Sequence, residues 1–193
     1  MRLRHFATFR YVDPKQFLIE LRKLELDVAI PLIPARVRTL RAQGLKPARE
    51  MRDAAIFCVG MADRTGFDMS FASVEGQDFD FVTRWVDEEK RQNYCPVQLK
   101  EVPPPHLNEG ITIQKVVDGL ARYTDSADLA VAIKINRPSH FSPDAIKLPG
   151  NLRINSLWAF GSVSIDQSEF GLWGDFLSRD CAPFGTKFTY PQG

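Results

Sequence analysis

The chain has 193 residues, 44% of them apolar and 25% charged, which are ordinary values for one globular domain. Three scattered cysteines (Cys58, Cys95, Cys181) and three scattered histidines (His5, His106, His140) have neither disulfide-framework nor metal-ligand spacing, so a reducing, cytoplasmic setting is expected. No apolar run approaches the ~20 residues of a membrane helix, and the net charge of +1 hides a split: residues 1–52 carry 12 Lys/Arg against 5 Asp/Glu, the remainder 13 against 19.

The single domain divides into a basic helical N-terminal extension (1–46), a core (47–137) and a C-terminal strand with an aromatic tail (138–193). Asp13-Pro14 reads as an N-cap followed by proline at the first helical position. Phe17, Leu18, Leu21, Leu24 and Val28 then recur at helical spacing. Ile30 to Pro34 breaks that helix, because proline restricts its neighbour and cannot donate. A short basic helix with Arg36, Arg38 and Arg41 is expected next, closed by Gly44. With Lys46, Arg49 and Arg52 these residues form a basic surface suited to phosphates, although a solvated helix face has the same composition.

Pro47 opens a stronger helix with Met51, Ala54, Ala55, Cys58 and Ala62 on its apolar stripe. Gly66 is its expected stop. Three strands follow: Phe67–Glu75, Asp78–Val86 with a tight turn before it, and Tyr94–Val102, halted by Pro103-Pro104-Pro105. In the second strand Phe79 and Phe81 are expected on one face, Asp78 and Asp80 on the other. Ile113, Val116, Val117, Leu120 and Ala121 follow the helical rule closely. Leu129–Ile135 (LAVAIKI) reads as a strand buried on both faces. Ile154–Ile165 is the one further strand. The aromatic tail, with Phe170, Trp173 and Phe176, offers either core residues or a partner or homodimer surface. An α/β fold follows: a mixed central sheet with an antiparallel three-strand meander, flanked by helices.

Hairpin arithmetic makes the chemical suggestion. Facing residues of an antiparallel pair have a constant index sum. A connector centred near residues 89–90 sets it at about 178–180, placing Asp80 opposite Gln98 or Lys100. Gln98 and Lys100 differ by two, so they share a face. Asp80, the Gln98 amide oxygen and the Leu99 carbonyl could then hold Mg²⁺ or Mn²⁺, which favour hard oxygen ligands. Lys100 would orient a metal-activated water and stabilise developing charge. Asp78 shares Asp80's expected face, and the choice between them as main ligand stays open.

Asp80-Phe81-Val82 followed by Val97-Gln98-Leu99-Lys100 resembles the PD-(D/E)XK superfamily. The resemblance covers about half of the chain. It implies a restriction-endonuclease-like core and a metal-dependent endonuclease that hydrolyses phosphodiester bonds, with DNA ahead of RNA as substrate. It also implies a catalytic role for Glu50, the acid matching the one on the first core helix of many members. Phe79 stands where the motif has proline, and Gln98 where it has an acid. The alternative is a nuclease-like fold without catalysis that binds protein or nucleic acid.

Overall fold

The computed structural model describes all residues except 1, 27–33, 35, 36, 38, 39, 43, 75, 76, 139–141 and 179–184. Arg36, Arg38, His140, Cys181, the break at 30–33 and the Glu75-Gly76 turn therefore lie outside the described residues.

Helix α1 spans Arg2–Phe6 and α2 spans Pro14–Glu25. The Asp13 side chain accepts the Gln16 N–H at 2.9 Å, so α2 begins where the sequence predicts, with the cap satisfying an orphan donor. Helix α3 spans Lys46–Thr65, and Gly66 ends it in the left-handed conformation, φ 76°, a backbone state that glycine adopts without steric cost. The N-terminal segment is no appendage. Phe6 and Leu18 are 3% and 1% exposed, and Val12 exchanges backbone hydrogen bonds with Phe71. Each buried side chain of this size contributes about 1.5–3 kcal/mol.

Strands β1 (Met69–Ser73), β2 (Phe81–Val86) and β3 (Gln92–Val102) form the expected antiparallel meander. Helix α4 (Ile113–Asp118) and a 3-10 turn at Gly119–Arg122 then cross to β4 (Ser126–Ile135), which runs parallel to β3. The helix is shorter than its apolar spacing predicts, yet Val117 and Leu120 are still fully buried. The order helix, three strands, helix, strand is thus present over the expected 47–137 region.

The sheet does not end there. β5 (Ile154–Ser162) adds a second parallel pairing, and β6 (Glu169–Gly174) and β7 (Thr186–Thr189) continue antiparallel, giving seven strands in sequence order. The expected C-terminal tail is therefore two further strands, and its aromatics are core: Phe160, Phe170 and Phe188 are buried. Phe170 stacks on Phe188, with ring centroids 5.8 Å apart.

Two apolar layers sandwich the sheet. One packs α2 and α3 against Phe71, Phe81, Val97, Ala130, Ala132 and Phe160. The other packs Phe6, Val117 and Leu120 against Val82, Val102, Val131, Ile133 and Leu157. Phe79 and Phe81 go to different layers, contrary to the sequence expectation. Residues 77–80 are bends rather than strand, so the two-residue period that would align them does not apply.

Candidate functional site

The hairpin arithmetic holds. Phe81 faces Val97, an index sum of 178, and Asp80 meets Gln98. Asp80 Oδ2 accepts a hydrogen bond from the Gln98 side-chain amide and another from the Leu99 N–H at 2.6 Å. The Asp80 N–H itself donates to the Val97 carbonyl at 3.0 Å. The carboxylate thus takes over at the point where β2 stops supplying backbone partners to β3. It closes the end of the ladder, a requirement of any half-buried backbone donor.

Of the other predicted members, Leu99 joins this pair, its carbonyl accepting from the Gln98 side-chain amide at 3.3 Å. Gln98 and Lys100 alternate with Val97 and Leu99, which pack on the α3 layer, so both project toward the α4 layer. There the Lys100 ammonium lies 5.9 Å from the centre of the Tyr123 ring, a cation–π distance. Glu50 stands on α3, across the sheet, in an ion pair with Lys46 at 3.2 Å. Asp78 is exposed on the bend before Phe79. Among the described residues no group of three or more His, Cys, Asp or Glu side chains is placed to hold a metal ion. Asp80 is thus a single carboxylate with an amide and a backbone N–H already on it.

A second charged cluster lies on the α3 face, at the carboxyl ends of β3, β4 and β5. Lys134 is the one charge in the apolar run of β4. It shares the face of Ala130 and Ala132, is 6% exposed, and donates to Asp53 of α3. Asp53 sits at the same helical spacing as the buried Ile56, Phe57 and Gly60, so the helix turns it onto the sheet. Burial holds the Lys134 pKa below the ordinary lysine value, against the opposing pull of Asp53. Beside it, Glu101 of β3 faces Lys134 across the parallel ladder and accepts from Arg41 and from the Asn136 amide at 2.9 Å. Burial alone would raise the Glu101 pKa. The Asn136 and Arg41 hydrogen bonds, with the Arg41 and Arg49 charges, outweigh it and hold the group below the usual carboxylate range.

Arg52 completes the cluster. Its guanidinium approaches Glu25 at 3.8 Å and Asp53 at 3.7 Å, and its buried Nε has no hydrogen-bond partner. Glu25, Arg41, Arg52, Lys134 and Asn136 of this cluster line an open cavity of about 1070 Å³, together with Arg22, Ile135 and Trp173. Its position at the carboxyl ends of parallel strands is the usual binding crevice of α/β sheets. At Gly161 of β5 an added Cβ would lie 2.6 Å from the Ile135 carbonyl oxygen. The close approach of β4 and β5 beside the cavity therefore needs glycine there.

Sequence reasoning named Arg41 and Arg52 for their charge but missed Asp53, Glu101, Lys134 and Asn136. The signal was present: a lysine inside a strand buried on both faces demands a buried acid. Among the described residues, Cys58 and Cys95 are free thiols. Burial raises the Cys95 pKa to about 11 and that of Cys58 further, so neither is a reactive thiolate at neutral pH.

Compared with known proteins, the chain matches no family model, no curated protein and no solved structure.

Proposed function

We propose that this chain is a non-catalytic α/β module that binds nucleic acid at the carboxyl ends of β3–β5. The observation that carries this reading is the 1070 Å³ cavity whose wall includes Arg22, Arg41, Arg52 and Lys134. Cationic side chains on a concave surface are what a phosphate backbone recognises. Of the six basic residues expected to grip phosphates, Arg41 and Arg52 line this cavity. Lys46 is paired with Glu50, and the Arg49 charge acts on Glu101. The test is fluorescence anisotropy with a labelled single-stranded oligonucleotide across a salt series. Binding that weakens steeply as salt rises supports the reading, because counterion release sets that slope. No binding at low salt overturns it.

A metal-dependent nuclease is the second reading. The Asp80–Gln98 pairing favours it, as does the helix, three-strand, helix, strand order of a restriction-endonuclease-like core. In that reading Asp80, Gln98 and the Leu99 carbonyl would supply oxygens to Mg²⁺ or Mn²⁺, and Lys100 would leave Tyr123 to face the phosphate. The metal would polarise the phosphate and activate a water. Cleavage of DNA in Mn²⁺ by the parent chain, lost in Asp80→Ala and Lys100→Ala, would replace the binding module with the enzyme. Absence of cleavage, with salt-dependent binding retained, sets the enzyme aside.

A further inference from the structure

We infer that the cavity at the carboxyl ends of β3–β5 takes a terminal phosphate, the phosphomonoester end of a nucleic-acid strand, with Arg52 as its principal ligand. This deepens the binding-module reading and rests on it.

The argument starts from which donors are spent. Arg137 also lines the cavity, but its guanidinium donates to the carbonyls of Pro103, Asn108, Glu109 and Ile111. It clamps the loop after β3 and has little left for a ligand. Arg41 is committed to Glu101. Arg22 bonds Glu25 at 3.2 Å and the Asp166 carbonyl at 3.4 Å. Arg52 differs from all three. It has five N–H donors; among the described residues it makes two long ion pairs, and its buried Nε has no hydrogen-bond partner. A guanidinium whose side chain is only 14% exposed is rarely left without acceptors, because its desolvation is costly. Glu25 and Asp53 balance its charge from distances too long to accept its protons.

Next to it, the Lys134 ammonium has three donors, and Asp53 takes one. Arg52 and Lys134 therefore both approach Oδ1 of Asp53, and both keep donors that this carboxylate does not fill. An oxyanion with three acceptor oxygens is the complementary group, and a planar guanidinium meets a phosphate in bidentate fashion. Asp166, an acid in the same wall, is not a competitor. Its carboxylate is held by the Ser164 and Ser168 side chains and the Ser168 N–H, which bring its pKa down to about 2.

Two features choose a strand end over an internal phosphodiester. A phosphomonoester carries up to two charges and three terminal oxygens, where a diester carries one charge and two such oxygens. The site also lies where the parallel ladders of β3, β4 and β5 end. About 1070 Å³ exceeds what a phosphate needs and is enough for a nucleotide-sized body. Ile135, Pro104 and Trp173 supply apolar wall for that body.

The experiment uses the full chain and one oligonucleotide sequence in three forms: 5′-phosphate, 3′-phosphate and hydroxyl at both ends. One phosphorylated form is expected to bind roughly ten- to hundredfold more tightly than the hydroxyl form, the gain of one or two charge-assisted hydrogen bonds. Inorganic phosphate at millimolar concentration should remove that preference. Arg52→Gln should bind all three forms alike. Arg52→Lys, which keeps the charge and loses the fork, should retain only part of the preference and serves if Arg52→Gln does not fold. Equal binding of all three forms by the parent chain would overturn the terminal-phosphate site and leave the binding module standing. No binding of any form would remove both.

Discussion

Asp80 and Asp53 are two acids set against the sheet, and they do different work. Asp80 receives a backbone N–H and a neutral amide and finishes a strand ladder. Asp53 receives a buried ammonium, lies beside an under-satisfied guanidinium, and borders a cavity wall that holds both cations. The first arrangement is closed by its own neighbours. The second leaves donors over. Chemistry-bearing residue types therefore do not identify a site. What identifies it is the balance of donors and acceptors left after the fold has used what it needs.

The sharpest way to break this contrast is to remove one partner of the buried pair. Lys134→Met should cost about 3–5 kcal/mol, because Asp53 is left buried without its ammonium. The double variant Asp53→Leu with Lys134→Met should recover most of that loss. Urea unfolding of the three chains measures both. A single variant as stable as its parent would show that the pair contributes nothing and that the second cluster is no different from the first.

Next in size is the ladder end. Asp80→Ala removes the acceptor of the Leu99 N–H and of Gln98, at a cost of about 1–3 kcal/mol. Asp80→Asn keeps an acceptor oxygen and should cost less than Asp80→Ala. If Asn proves as damaging as Ala, the charge itself matters, and the case for a cation beside Asp80 is strengthened. Asp13→Ala calibrates this comparison, since Asp13 also receives a backbone N–H. Its loss should be about 1 kcal/mol.

The smallest expected effect is in the acid limb of stability. The folded pKa of Glu101 is lowered, so its contribution is fully present above the ordinary glutamate value of about 4.3. It is lost as pH falls through the folded value. Asp87, held to about 2 first by the Arg91 N–H, and Asp166, also at about 2, keep contributing to lower pH. Thermal melts should therefore fall between pH 5 and pH 2 as these carboxylates take up protons. Removing Asn136 and Arg41, the hydrogen-bond donors to Glu101, should make that fall shallower.

Local chemistry was legible throughout. The Asp13-Pro14 start, the Gly66 stop, the first meander, the buried β4 and the Asp80–Gln98 meeting all follow from rules that act within one element or one hairpin. Two further strands escaped notice because Glu169–Gly174 is rich in glycine and aromatics. Its strand state is held by pairing with β5 and β7 rather than by its own propensity.

The amino-acid order alone thus determined the helix caps, the face alternation of β3 and the register between β2 and β3. Each depends on residues close in the chain and on a fixed period. Tertiary structure decided that Asp53, Glu101 and Lys134, 81 residues apart at the extremes, meet in one cluster, that the buried Nε of Arg52 stands beside them without an acceptor, and that Glu50 lies on the helix across the sheet from Asp80. Those outcomes depend on which helix covers which face of the sheet, and no local period encodes that choice.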